Sequence, residues 1–257
     1  LYAKRVLGLR QLDDIDRPID AALRGNLVHD TLADFLEDHP QGDLPENALD
    51  EMLAIARRHF DPFWQIPTVR HFWWPAFRAM ASWFIETESR RRASLQDSHA
   101  EVGGAIEVEA PAGPVTFRAR ADRIDRFADG GLAILDYKTG TTPSAREVAE
   151  GRRTQLITEA VIAAHGGFAG IEAAEVLEME YWRLTGKRDE PGSRKSVQPP
   201  DWDATAARDS LARLAARFDD PAMPYASRPN PQVGAAYPQY DHLARVDEWR
   251  IGEAGPL

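Results

Sequence analysis

The 257-residue sequence contains no cysteine. Without thiols the chain cannot form disulfides, thiolate zinc sites or cysteine-ligated iron–sulfur clusters, so we expect no iron–sulfur cluster and a cytoplasmic location. The sequence also has no run of about 18 apolar residues and no signal peptide at its start, which predicts no membrane span and no membrane partner. The chain opens at Leu1 rather than at methionine, so we expect a piece of a longer protein.

Positive charge is also in short supply. Lys and Arg together number 31 against 41 Asp and Glu, which gives a net charge of −10. This balance argues against a protein that binds nucleic acid over its whole surface, although it leaves room for a local basic groove. Lysine is scarcer still, with four of those 31 residues (Lys4, Lys138, Lys187 and Lys195). A lysine that stands beside an acidic residue is therefore informative.

One such lysine, Lys138, lies near the end of the stretch 132–139, Leu-Ala-Ile-Leu-Asp-Tyr-Lys-Thr. Its short apolar run, bounded by glycines, predicts a buried strand. Side chains two residues apart on a strand share a face, so Asp136 and Lys138 emerge together. A surface ion pair at a strand end is the simplest interpretation of this pattern taken alone.

The preceding segment, 115–127, also predicts a strand, and it carries Asp122. A hairpin turn at 129–131 would place Asp122 close to Asp136. Two carboxylates beside a lysine favour a hard divalent cation and a phosphodiester substrate. Asp125 lies on the opposite strand face from Asp122, so we interpret it as structural.

Other polar residues lie on predicted helices. His29 shares a face with apolar residues, so it is either a packed core histidine or a metal ligand held near a helix start. Gln155 and Glu159 stand one turn apart on a helix predicted over 152–164. The aromatic stretch 60–84 could stack bases, but its helical period favours a buried core.

These patterns predict a mixed α/β fold in which a small central sheet is flanked by helices. No internal repeat or clear linker divides the chain, so we expect a single domain over 1–257. Its Pro-rich segment 219–257 predicts an irregular carboxyl-terminal wrap that ends in a short helix over 241–249.

The order of the motifs resembles the RecB-like branch of the PD-(D/E)XK nucleases. The matching segments are Arg24-Gly-Asn-Leu-Val-His29, Asp122-Arg-Ile-Asp125, Leu135-Asp-Tyr-Lys-Thr-Gly140 and Gln155-Leu156. The chain ends, 1–9 and 240–249, are similar to the nuclease domain of AddB subunits of AddAB helicase–nucleases. The resemblance covers nearly the whole chain.

This resemblance implies a restriction-endonuclease-like PD-(D/E)XK core that cleaves DNA with Mg²⁺ or Mn²⁺. The implied metal ligands are His29, Asp122, Asp136 and the backbone carbonyl of Tyr137. The implied catalytic residues are Asp122, Asp136, Lys138 and Gln155. The flanking arginines are expected to bind DNA phosphates in one basic groove: Arg118, Arg120, Arg123, Arg152 and Arg153.

The resemblance also implies an AddA-type helicase–nuclease partner and an exonuclease role in double-strand-break repair and recombination. Two alternatives are a stand-alone exonuclease of the same superfamily and a non-catalytic DNA-binding or scaffold domain. A decayed nuclease would usually lose Asp136 or Lys138, and both are present. The sequence departs from the family pattern at Ala119, where glycine is common, and at Glu159, where tyrosine is common.

Overall fold

The computed structural model describes residues 7–9, 20–224 and 243. The predicted short helix over 241–249, most of the predicted wrap and the similar chain ends therefore lie outside the described residues. The chain divides into two compact units, residues 19–216 and a second unit made of 1–18 and 217–257. The fold given below is that of the first unit, and the single domain over 1–257 stays a prediction.

Helices and strands alternate in blocks along the described chain. The helices are α1 (Ala21–Asp38), α2 (Ala48–Phe60), α3 (Trp74–Arg92), α4 (Ala145–Ala149), α5 (Gln155–Ala164) and α6 (Ala204–Asp219). A 3₁₀ turn (Asp61–Phe63) and a π-helical turn (Val69–Trp73) connect α2 to α3. The strands are β1 (Leu95–Val108), β2 (Val115–Phe127), β3 (Leu132–Lys138), β4 (Val176–Leu184) and β5 (Gly192–Ser196).

The five strands form one mixed sheet in the order β1-β2-β3-β4-β5. Neighbouring strands are antiparallel except β3 and β4, which are parallel. A parallel pair needs a crossover connection, and here α4 and α5 lie in that connection. The predicted mixed α/β sheet flanked by helices is confirmed. Among the described residues, no helix is both long enough and apolar enough to cross a membrane.

The alternation of side chains along β3 divides the core between two sheet faces. Leu135 and Tyr137 belong to an apolar cluster with α1, α2 and α3, whereas Ile134 belongs to a second cluster with α5. Both faces of β3 are covered, which explains its nearly continuous apolar sequence. In the aromatic stretch Phe77 and Phe84 are buried in the first cluster, as the core interpretation expects, while Phe72 is exposed.

A buried ionic network attaches α3 to β2. Arg123 is fully buried, and its guanidinium pairs with Asp125 at 2.5 Å and with Glu88 at 2.7 Å. Asp125 also accepts a hydrogen bond from Arg91 at 2.7 Å. The prediction that Arg123 binds DNA phosphates is therefore wrong, because its side chain is enclosed and its donors are used inside the fold. Asp125 belongs to this network, in keeping with its structural interpretation.

Three elements differ from what the local sequence predicts. The alternation over 105–109 predicts a short strand, but β1 begins ten residues earlier, at Leu95. The polar segment 192–196 predicts a loop, but it pairs with β4 as β5. Asn26 is of a residue type that favours a helix N-cap, but the first helix begins at Ala21, and Asp20 caps it by accepting a hydrogen bond from the Leu23 amide at 2.9 Å.

Candidate functional site

The site is built at the carboxyl end of β3. Asp136 and Lys138 share a face there, and the Lys138 ammonium lies 2.7 Å from Asp136 Oδ1 and 2.6 Å from Oδ2. The Asp136 side chain is fully buried, whereas that of Lys138 is 31% exposed. The intervening Tyr137 points its ring to the other side of the sheet, into the α1–α3 cluster. The strand thus presents a buried carboxylate and a half-buried ammonium side by side.

β2 and α1 bring two further groups to the same place. Asp122 accepts a hydrogen bond from the Tyr137 amide at 2.8 Å, so the hairpin lays the first aspartate against the end of β3. His29 on α1 reaches both strands: Nδ1 lies 3.4 Å from Asp122 Oδ2, and Nε2 lies 2.9 Å from the Tyr137 carbonyl oxygen. α1, β2 and the end of β3 therefore bring His29, Asp122 and the Tyr137 carbonyl oxygen together.

A fifth ligand candidate, Glu101 on β1, is absent from the sequence-based set. Ligand atoms of Glu101, His29 and Asp122 all lie within 4.8 Å of one another. Glu101 has a φ of +52°, which is unusual for a residue with a Cβ. Such local distortions re-aim side chains and cluster at functional sites. The Glu101 carboxylate also contacts the exposed Arg120 at 2.6 Å.

Burial and clustered charge perturb the acids of this site. Burial and the charge of Asp122 raise the pKa of Asp136 to about 6, although Lys138 opposes the shift. The same two causes raise the pKa of Glu101. Burial lowers the pKa of His29, but the hydrogen bond and charge of Asp122 outweigh it and raise that pKa overall. Burial is the largest cause for the two acids, and the charge of Asp122 contributes to all three shifts.

α5 packs on the sheet face opposite to α1, and it contributes two residues to the surroundings of Asp136. Gln155 is the exposed first residue of α5, and the Glu159 carboxylate accepts a hydrogen bond from it. Glu159 is 1% exposed. Burial, followed by the charge of Asp136, raises the pKa of Glu159 to about 8. The departure from the common tyrosine thus puts a second buried carboxylate near Asp136.

The remaining predicted phosphate-binding arginines lie on the surface. Arg118 and Arg120 are exposed on β2, and Arg152 and Arg153 are exposed just before α5. Arg152 forms an ion pair with Glu150 at 2.5 Å. Their exposure allows contact with a polyanion, in contrast to Arg123.

The donor set fits a hard divalent cation. Carboxylate and carbonyl oxygens with one imidazole are suitable ligands for Mg²⁺ or Mn²⁺. Adjacent ligands at about 2.1 Å from an octahedral ion are roughly 3 Å apart. The 2.9 Å between His29 Nε2 and the Tyr137 carbonyl oxygen agrees with that spacing.

Comparisons with known proteins agree with this chemistry. The family model described as the PD-(D/E)XK nuclease superfamily matches residues 1–236. An uncharacterized protein of Rickettsia conorii is 28% identical over 179 residues, which cover 68% of this chain and 21% of that protein. An uncharacterized protein of Rickettsia felis is 28% identical over 170 residues, which cover 65% of this chain and 20% of that protein. The chain therefore spans about a fifth of the length of these curated relatives.

Among solved structures, the crystal structure of SSO0001 is 14% identical and covers 76% of this chain and 74% of its own. Its TM-score of 0.29 is too low to support an argument.

Proposed function

The chain belongs to the PD-(D/E)XK nuclease superfamily, and from this premise we propose that it is a divalent-metal-dependent deoxyribonuclease that hydrolyses phosphodiester bonds. One observation carries the proposal: His29, Asp122 and the buried Asp136–Lys138 pair converge at the end of β3. A merely structural ion pair would need neither the second aspartate nor the histidine.

His29, Glu101, Asp122, Asp136 and the Tyr137 carbonyl would hold Mg²⁺ or Mn²⁺. When bound, the ion would neutralise phosphate charge and lower the pKa of a water molecule. The protein contributes the fixed positions of these ligands. Tyr137 is central to this arrangement, because its amide orients Asp122 and its carbonyl contacts His29.

Lys138 has a different role from the ligands. Asp136 holds its ammonium at a defined point, and 31% of the Lys138 side chain remains accessible. A positive charge fixed in this way can orient the attacking water or stabilise negative charge on the phosphoryl oxygens in the transition state. Gln155, at the start of α5, would position the scissile strand or a water. Asp122 and Asp136 act as both ligands and orienting groups.

The exposed arginines would bind the DNA backbone. Arg118, Arg120, Arg152 and Arg153 can contact phosphates, and these contacts should be strongly salt-dependent. The net charge of −10 limits such binding to a local groove.

We further propose that the nuclease works exonucleolytically in double-strand-break processing, within an AddB-type subunit beside an AddA-type helicase–nuclease partner. The similarity of segments 1–9 and 240–249 to AddB nuclease domains supports this assignment. Co-purification with an AddA-type subunit, together with degradation of linear but not circular duplex DNA, would test it.

Cleavage of labelled linear DNA, in Mg²⁺, Mn²⁺ or EDTA, tests the nuclease assignment itself. We expect metal-dependent products from the unmodified protein and from Asp97→Asn, whose carboxylate pairs with His99 on β1 and takes no part in the site. Asp122→Asn and Asp136→Asn should be inactive. Cleavage by both the Asp122→Asn and the Asp136→Asn variants would contradict the proposal. Absence of cleavage by the unmodified protein with either ion would also contradict it, and would favour a non-catalytic DNA-binding domain.

A further inference from the structure

Glu159 has no role in the phosphodiester hydrolysis proposed for this site. It lies on the buried face of α5 and is 1% exposed. Its Oε2 has no hydrogen-bond partner among the described residues, although the Gln155 side chain interacts with the carboxyl group. Native proteins rarely leave such a group unsatisfied, and an unassigned ion is one of the few accepted explanations.

The charged groups around Glu159 are mostly acidic, which favours a cation as its partner. The charges that act on it most are the carboxylates of Asp136 and Asp122, opposed by the ammonium of Lys138. Asp136 Oδ2 also lacks a hydrogen bond of good geometry in the described part of the chain, although Lys138 is close to it. A divalent cation bound beside Glu159 and Asp136 would give Glu159 Oε2 a partner and would favour the charged form of a carboxyl group that burial otherwise keeps protonated.

We propose that Glu159 is a further carboxylate ligand for a divalent cation, which it binds together with Asp136 on the α5 side of the site. The inference rests on the cation chemistry of the proposed nuclease and assigns it one more residue. The competing explanation is structural: Glu159 would serve only to hold Gln155. The two explanations differ in whether metal binding depends on the charge at residue 159.

Titration of the full chain with Mn²⁺ measures how metal binding depends on the charge at residue 159. Binding is monitored by calorimetry and by the paramagnetic resonance of free Mn²⁺. Glu159→Gln keeps the shape and an acceptor for Gln155 but removes the charge. The matched control is Glu180→Gln, which removes a carboxylate that is 7% exposed and is held by Arg194 and Trp182 on the opposite sheet face.

We expect Glu159→Gln to weaken Mn²⁺ binding at least 10-fold or to lower the number of ions bound, because even residues that only support a ligand are typically worth roughly 10–100-fold in metal affinity. The metal-free variant should melt no lower than the unmodified protein, and its gain in Tm on Mn²⁺ addition should be smaller. Glu180→Gln should bind Mn²⁺ as the unmodified protein does.

Unchanged affinity and stoichiometry in Glu159→Gln would overturn the inference and leave the nuclease proposal standing. If the unmodified protein itself binds no Mn²⁺, both fall together. Should Glu159→Gln lose its melting transition, Glu159→Asp replaces it, since this variant keeps the charge on a shorter arm. Weakened Mn²⁺ binding by Glu159→Asp supports the inference, and unchanged binding overturns it.

Discussion

Asp136→Asn should make the metal-free protein more stable while it abolishes cleavage. The Asp136 carboxylate is fully buried, and its nearest counter-charge is the half-buried ammonium of Lys138. The pKa of Asp136 is raised from 3.8 to about 6. An acid with a raised native pKa binds more protons in the folded state than in the unfolded state. Stability is therefore lost as pH rises from about 4 through about 6.

The size of the effect follows from the same shift. A rise of roughly 2 units at about 1.4 kcal/mol per unit corresponds to about 3 kcal/mol of destabilisation at neutral pH. No discount for solvent screening applies, because the side chain is buried. The amide that replaces the carboxylate would carry no charge, and the released Lys138 could be hydrated at small cost. For a chain of this length, about 3 kcal/mol corresponds to a Tm higher by roughly 6–12 °C.

Thermal melts in EDTA from pH 4 to pH 8 measure this difference. The gap between Asp136→Asn and the unmodified protein should be near zero at about pH 4, open as pH rises towards 6 and then stay constant. Subtraction of the two curves cancels the other titrating groups. Added Mn²⁺ should raise the Tm of the unmodified protein alone and so narrow the gap.

Asp125→Asn is the matched control, because Asp125 is equally buried on the neighbouring strand. Burial raises the pKa of Asp125, but Arg123 and Arg91 outweigh it and lower that pKa overall. Loss of this charge leaves two buried guanidiniums undercompensated, which should cost about 3–5 kcal/mol. The two substitutions therefore have opposite signs. If Asp136→Asn melts below the unmodified protein in EDTA at pH 7.5, the argument from uncompensated charge is refuted.

Further substitutions test separate parts of the site. Lys138→Ala should leave Mn²⁺ affinity unchanged or slightly higher yet reduce cleavage by roughly 10²-fold or more in a single-turnover assay; an active variant would contradict the role of this charge. Arg123→Ala should lower the free energy of unfolding, measured by urea melts, by about 3–5 kcal/mol. Arg118→Ala should change that free energy by no more than about 0.5 kcal/mol, but should weaken DNA binding at low salt in a filter-binding assay. Glu101→Gln should weaken Mn²⁺ binding by calorimetry, and unchanged affinity would remove Glu101 from the ligand set.

The central hairpin could be predicted because its determinants are local. An apolar run between glycines marks β3, and a turn at 129–131 fixes its register against β2. That register places Asp122 beside Asp136, and the period of two places Lys138 on the same face. These steps need no knowledge of the helices. The local sequence does not fix the position of His29 in the same way, because only the packing of α1 on the sheet brings this residue to Asp122.

Glu101 could not be predicted because its strand is made by tertiary pairing. The segment 95–104 carries polar residues and Gly103-Gly104, which weaken any strand pattern. Gly104 is required by packing, since a Cβ there would lie 2.4 Å from the Phe168 ring. Pairing with β2 holds this segment in the sheet, and the positive φ of Glu101 has no sequence signal.

Arg123 was misassigned although a local signal was available. Its parity on β2 matches Asp125 and opposes Asp122, so it points away from the site. The cluster of arginines in this segment suggested one basic face, but residues 118 and 120 differ from residue 123 in parity. The side of the sheet that an arginine faces is set by the two-residue period of the strand, not by the number of arginines in the segment.

Buried carboxylates are compensated differently on the two faces of the sheet, and this contrast supports the position proposed for the site. Under α3, Glu88 and Asp125 are matched by arginines that fill their lone pairs, so this face needs no further ion. At the carboxyl end of β3, near α5, Glu159 Oε2 has no hydrogen-bond partner among the described residues, and Asp136 Oδ2 has only the half-buried Lys138 ammonium close to it. Removal of a matched charge costs stability, whereas removal of an unmatched one costs only function. The proposed divalent cation would supply positive charge at this point, and we therefore place the proposed active site at the carboxyl end of β3.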